Sequence, residues 1–272
     1  MPCTTRRGYG VTLAGALLLP AALGALLLSR YSTSPDRAVR LAGELQEVSG
    51  LAWTRDGRLL AHNDERAILY ELDPVTGAIR RQFPLGTPPP TGDFEALTVT
   101  DAGLALAASD GTVLDLALAS DGVPSVRSTI RTGLGSRCDV EGMAALADTL
   151  FLACKAPAGR HLLIHRRSRK NGVELAPPIK IPLASVTHPS KTLNPSELVR
   201  DAQSGHFLML AARQRMILEL DAAGRVLQSR RLADGHRQAE GLALAPDGVL
   251  YIADEGARAP GTLSLYRPRP VP

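Results

Sequence analysis

Five glutamates recur along this 272-residue chain, each followed by small and apolar residues: Glu47, Glu95, Glu141, Glu197 and Glu240, spaced 48, 46, 56 and 43 residues apart. The copies begin Glu47-Val-Ser-Gly-Leu-Ala, Glu95-Ala-Leu-Thr-Val, Glu141-Gly-Met-Ala-Ala, Glu197-Leu-Val-Arg and Glu240-Gly-Leu-Ala-Leu. A carboxylate repeated at one structural position gathers negative charge. Gathered carboxylates raise one another's pKa, and a cation stabilises their ionised forms. Calcium suits such a set, because it takes six to eight hard oxygen ligands from carboxylates, carbonyls and water. Zinc and copper favour His and Cys, and no two histidines stand close together beside these glutamates. Magnesium prefers few protein ligands and several waters. The five glutamates are therefore the expected metal ligands, with Asn63, Asp64, Asp93, Asp139 and Asp254 as additional site residues. Two other arrangements compete: a ring neutralised by Lys155 and Arg213, and glutamates that only tie neighbouring blades together.

A repeat of about 40–50 residues marks a propeller or a solenoid. In the first copy Ser49-Gly-Leu-Ala-Trp-Thr54, Arg58-Leu-Leu-Ala-His62, Ala67-Ile-Leu-Tyr-Glu-Leu72 and Ala78-Ile-Arg-Arg-Gln-Phe83 read as strands. Arg55-Asp56-Gly57 and Asp73-Pro-Val-Thr-Gly77 read as turns between them. Strands are short, turns carry Asp and Gly, and no period of 3.6 persists. Four antiparallel strands in about 45 residues make one propeller blade. Five blades follow, or six if the long third interval hides another. The last copy is one strand short, and Val39-Arg-Leu-Ala42 is placed to supply the missing strand and close the ring, which removes two free sheet edges. Each Glu precedes the innermost strand of its blade, so all five are expected at one mouth of the central channel, near the ends of the second strands.

The chain is 44% hydrophobic and 21% charged with a formal net charge of +4, an ordinary globular composition. Its densest basic run, Arg160 to Lys170, lacks interleaved aromatics and reads as a solvated edge, so nucleic acid is not an expected partner. Residues 1–30 differ in kind: Arg6-Arg7 precedes an uncharged stretch from Gly8 to Ser29, long enough to cross a bilayer as a helix. The flanking charges place the N-terminus inside and the body outside. The expected organisation is a signal anchor or signal peptide over 1–30, a linker over 31–38, the propeller over 39–268 and a tail over 269–272. The expected location is the bacterial inner membrane with the propeller in the periplasm or outside the cell, or secretion after signal cleavage. Cys138 and Cys154 flank one predicted hairpin, and an oxidising compartment permits a disulfide between them; a pair of small buried hydrophobes is the other reading.

The phrases Glu47-Val-Ser-Gly-Leu-Ala-Trp53, His62-Asn-Asp-Glu65, Ile68-Leu-Tyr-Glu-Leu-Asp73, Asp93-Phe-Glu-Ala-Leu97, Asp139-Val-Glu-Gly-Met143 and Ala239-Glu-Gly-Leu-Ala-Leu244 resemble the SdiA-regulated family of YjiK-like bacterial propellers. The resemblance spans Leu41 to Tyr266. It implies a five-bladed propeller behind an N-terminal membrane segment, with calcium at a shared site. Related lactonase-like propellers hold a metal with Glu, Asn and Asp at the channel mouth; Glu47, Asn63, Asp64, Asn194 and Asp254 form the analogous set here, with His62 and His188 as candidate bases. The first functional expectation is a calcium-binding, membrane-anchored binding or interaction module, engaging a small molecule or protein at the mouth. The alternatives are a metal-dependent lactone or ester hydrolase and a purely structural propeller.

Overall fold

The computed structural model describes residue 1 and residues 26–155, 159–186 and 192–270. Its strands form five four-stranded antiparallel sheets. Blade one contains β2 (Val48–Trp53), β3 (Leu59–Asn63), β4 (Ile68–Leu72) and β5 (Ile79–Pro84). Blade two contains β6 (Phe94–Thr100), β7 (Gly103–Ala108), β8 (Thr112–Leu118) and β9 (Pro124–Arg131). Blade three contains β10 (Val140–Leu146), β11 (Thr149–Cys154), β12 (His161–Ser168) and β13 (Glu174–Pro182). Blade four contains β14 (Glu197–Arg200), β15 (Phe207–Ala211), β16 (Met216–Leu220) and β17 (Val226–Arg231). Blade five contains β18 (Ala239–Leu244), β19 (Leu250–Asp254) and β20 (Thr262–Tyr266), and takes its outer strand from β1 (Arg37–Arg40). The closing strand thus starts two residues earlier than the sequence suggests. The count is five, and the long third interval contains no sixth blade among the described residues.

The core is divided into five clusters, one between each pair of neighbouring blades. Middle strands serve two clusters at once: Leu59 and Ala61 face blade five while Leu60 faces blade two. Because both faces are covered, these strands read as continuous apolar runs rather than as alternations. The inner strands β2, β6, β10, β14 and β18 neighbour one another around the axis, which brings residues from all five blades to the same depth.

The N-terminal region corrects an expectation. Residues 2–25, the bulk of the proposed anchor, lie outside the described residues. Its last turn does not continue as a helix: Leu27–Arg30 is a short 3-10 turn, and Leu27 and Leu28 are buried with Tyr31 between blades four and five. Among the described residues no helix is long and apolar enough to cross a membrane. Glu219, fully buried, accepts the backbone N–H groups of Leu27 and Leu28, each at 2.9 Å. Its other neighbour is His206 Nδ1 at 2.7 Å. Arg230 donates to the carbonyls of Leu28 and Tyr31, and the Tyr31 hydroxyl donates to Gly248 O at 2.7 Å. Tyr31, expected in a linker, is part of the folded body.

Cys138 and Cys154 form a disulfide. Cys154 pairs with Val140 in the β10–β11 ladder, so the bridge runs diagonally from β11 to the segment two residues before β10. A cross-link over a loop of 16 residues stabilises the folded chain by about 3 kcal/mol.

Candidate cation site at one mouth of the propeller

The ladders align the blades on the apolar residue that follows each glutamate phrase. Leu51, Leu97, Met143, Leu198 and Leu242 pair with Ala61, Leu106, Leu152, Met209 and Ile252, respectively. Counting back two positions gives the equivalent residues at the start of the inner strands: Ser49, Glu95, Glu141, Ser196 and Glu240. In four blades this residue is the bulged one, skipped by the pairing. A bulge leaves its extra residue unpaired and re-aims its side chain.

The mouth therefore carries three glutamates and two serines in its ring, not five glutamates. Glu47 lies two residues too early: it is exposed and equivalent to Asp93, Asp139 and Gln238. Their carbonyls accept the N–H groups of Asp64, Ser109, Lys155 and Glu255 in the same pattern, blade by blade. Glu197 lies one residue too late and is buried inside the axis. Aligning the copies on Leu and Met instead of on Glu would have found Ser49 and Ser196 from the sequence.

The ring is electrostatically crowded. Burial, then the charges of Glu141 and Asp93, push Glu95 up to about 8; Ser49 Oγ, donating to its Oε2 at 3.1 Å, offsets this in part. Burial pushes Glu240 up to about 7, with a hydrogen bond from Gln238 opposing and the charges of Glu255 and Glu141 adding. Burial also raises Glu141, although Lys155 Nζ sits 2.7 Å from its Oε1 and pulls it back. Burial alone would lower Lys155; the hydrogen bond and charge of Glu141 hold it above its ordinary value. Asp64 and Glu255 are raised by burial and then by each other's neighbourhood, Asp64 by Glu47 and Glu255 by Asp64. One lysine thus answers for one of three ring glutamates.

The remaining expected site residues divide. Asp93 and Asp139 are exposed at the rim, and Asp93 accepts a hydrogen bond from Ser109 Oγ at 2.6 Å. Asn63 is used structurally: its amide donates to Glu44 O and its oxygen accepts from Arg66 N. Asp254 does not face the mouth. It is buried, 2.6 Å from His236 Nδ1, while His236 Nε2 lies 2.6 Å from the Tyr266 hydroxyl. Asn194 bonds Gln214 and Lys155 O, so of the hydrolase set Glu47, Asn63, Asp64, Asn194 and Asp254 three members are engaged elsewhere, while Asp64 Oδ1 is buried without a hydrogen-bond partner and Glu47 is exposed. His62 is buried in β3; His188 lies outside the described residues. Ser196 is also committed, donating to Ala239 O and accepting from Ala212 N.

Three oxygens from different acidic groups nowhere approach within 4.8 Å of one another among the described residues. Among the described residues the sole group of that spacing is Cys138, Cys154 and His165, whose cysteines are in the disulfide. The ring fits a hard cation in donor type and charge, with one or two direct carboxylates and water completing the shell, a mode calcium accepts. Beside the ring a cleft of about 470 Å³ runs between blades three, four and five, lined by Glu141, Lys155, Asn194, Arg213, Arg237 and Glu240 among others. Arg213 and Arg237 are exposed, and neither forms an ion pair among the described residues.

The family model described as SdiA-regulated matches residues 181–258, in agreement with the resemblance carried by the blade phrases. No curated protein matches the sequence. Among solved structures, Myxococcus xanthus glutaminyl cyclase is similar over 88% of this chain and 97% of its own, at 16% identity and a TM-score of 0.61. The PQQ-bound aldose sugar dehydrogenase of Streptomyces coelicolor is similar over 86% of this chain and 97% of its own, at 12% identity and a TM-score of 0.52. At such identities the likeness is one of fold, and this scaffold hosts enzymes and passive binders alike.

Proposed function

We propose that the chain is a calcium-binding propeller whose charged mouth serves as a binding or interaction module. The observation that carries the reading is the ring itself: Glu95, Glu141 and Glu240 are brought to one depth with a single lysine between them. In such a ring two carboxyls either keep protons or share a cation. Glu95, Glu141 and Glu240 would hold the ion, one or two of them directly and the rest through water, with Asp93 and Asp139 at the rim. Bound calcium would supply positive charge at the mouth and a site for an oxygen of a ligand. The cleft beside it has room for a small molecule. With Lys155, Arg213 and Arg237 around it, a ligand bearing an acidic group fits the charge pattern.

The disulfide supports an exported body, since such bonds persist in oxidising compartments. Attachment to a bacterial membrane through residues 1–25 is part of this proposal. A hydrolytic reading has less support, because Asn63, Asn194 and Asp254, three of the residues expected to serve it, are engaged in hydrogen bonds elsewhere.

The test is thermal. Ligand that binds only the folded state raises its melting temperature once its concentration exceeds Kd. Chelator-treated full chain should melt several degrees higher in millimolar calcium, and Glu95→Gln with Glu240→Gln should remove that response while leaving the β-sheet circular dichroism intact. An identical melting curve with and without calcium would reject the reading.

A further inference from the structure

Immediately after the ring position, four inner strands carry glycine or alanine (Gly50, Ala96, Gly142 and Gly241), whereas β14 carries Glu197. Close approach forces the small residues: a Cβ on Gly142 would lie 2.7 Å from Glu197 C, and one on Gly241 would lie 2.8 Å from the Leu51 side chain. Glu197 fills the axial space its neighbours leave. Its Oε1 accepts the N–H of Leu198 at 2.9 Å and that of Met143, in blade three, at 3.4 Å. Its Oε2 is buried with no hydrogen-bond partner.

Opposite Gly50 in the β2–β3 ladder stands His62, where the other blades have Ala107, Ala153, Leu210 and Ala253. His62 Nδ1 lies 2.9 Å from the carbonyl oxygen of Asn63. A carbonyl only accepts, so Nδ1 carries the ring proton and Nε2 presents a lone pair. Nε2 is likewise buried and without a partner. Both bare atoms border one cell: the missing Cβ of Gly50 would sit 2.3 Å from His62 Nε2 and 3.3 Å from Glu197 Oε2. The gap between them is thus no wider than two hydrogen bonds of about 2.8 Å each.

With Glu197 ionised, an enclosed water could donate to both acceptors, but the charge would lie fully buried with no cation among the groups that act on it, a costly arrangement that neutralising the carboxylate relieves. Buried polar groups are almost always paired, with protein or with ordered water. We propose that Glu197 is a neutral carboxylic acid with its proton on Oε2, and that one enclosed water passes the hydrogen bond from this proton to His62 Nε2. The water accepts from Oε2–H and donates to Nε2, which gives both bare protein atoms a partner. Burial, reinforced by the charge of Glu95, raises the Glu197 pKa well above the ordinary carboxylate range, and burial lowers His62 to about 4, in agreement with two uncharged partners. The relay joins blades one, three and four across the axis beneath the mouth. It stands independently of whether the ring above binds calcium.

The test is an infrared difference spectrum of the full chain at neutral pH, wild type minus Glu197→Gln, with melting curves of both and elemental analysis of the wild type. The expected spectrum contains the carbonyl stretch of a protonated carboxyl, which His62→Gln shifts without abolishing. Glutamine imitates the neutral acid, so Glu197→Gln should melt within about 2 °C of wild type. Carboxylate bands in place of the acid band would overturn the proposal. So would a rise of more than about 5 °C in Glu197→Gln, the sign of relieved buried charge, or a stoichiometric transition metal that His62→Gln removes. If Glu197→Gln does not fold, the His62→Gln difference spectrum decides alone: a shifted acid band supports the relay, and its absence refutes it.

Discussion

Raising the pH of the calcium-free protein tests the ring without reference to any ligand. Glu95 is held near 8 against an ordinary 4.5, so its proton is bound more tightly in the folded chain than in the unfolded one. A group of this kind stabilises the fold fully below the unfolded value, and that contribution is lost as pH rises through the folded value. Each pKa unit corresponds to about 1.4 kcal/mol, so Glu95 at face value accounts for about 4 kcal/mol between about pH 5 and pH 8.5. The mouth is partly solvated, and screening reduces that to about 2 kcal/mol. For a domain of this size the loss is about 5 °C in melting temperature. Differential scanning calorimetry in chelator, at several pH values, should show Glu95→Gln losing about 5 °C less than wild type across the window. Asp73, Asp56 and Asp221, whose pKa values are lowered, titrate below this window, while Glu240, near 7, and His62, lowered to about 4, act in it with opposite signs in both proteins and drop out of the difference. A variant with the same slope as wild type across the window would refute the crowded-ring reasoning.

Further outcomes follow from other contacts. Glu219→Ala removes the acceptor of two buried N–H groups and should cost about 2–4 kcal/mol by urea unfolding. A chain starting at residue 32 loses the buried Leu27, Leu28 and Tyr31 and should be less stable by several kcal/mol than one starting at residue 26, about 2 kcal/mol per large side chain. Replacing Cys138 and Cys154 together by Ala should cost about 3 kcal/mol, with dithiothreitol destabilising the wild type and not the double variant. His236→Phe leaves Asp254 Oδ2 and the Tyr266 hydroxyl unpaired in a buried place and should cost at least about 2 kcal/mol.

What the sequence made legible was local. Asp-Gly turns and short apolar runs define strands without reference to the rest of the chain, so blade number, strand order and the closing strand could be read in advance. The ring register could not be read from glutamates alone. A bulge changes which residue faces the mouth, and its position is visible only against the partner strand: Ser49 is skipped between Val48 and Gly50, which moves Glu47 to the rim. In blade four no bulge interrupts the ladder, and Glu197, paired with Leu210, stands one residue past the ring position. Hydropathy also treats Leu27 and Leu28 as the end of a membrane span, whereas their capture by Glu219, about 190 residues away, is a tertiary fact. Asp254 sits where a mouth carboxylate belongs, yet His236 claims it from the connection between blades four and five.

The central claim is that the three-glutamate ring takes up calcium, and the most direct measurement is an isothermal titration of calcium into the chelator-stripped full chain at about pH 9, where Glu95 and Glu240 have largely lost their protons. One ion per chain is predicted, with affinity falling at least tenfold, about 1.4 kcal/mol, in the Glu95→Gln, Glu240→Gln double variant. No binding heat at millimolar calcium, or an affinity the double variant leaves unchanged, would contradict it.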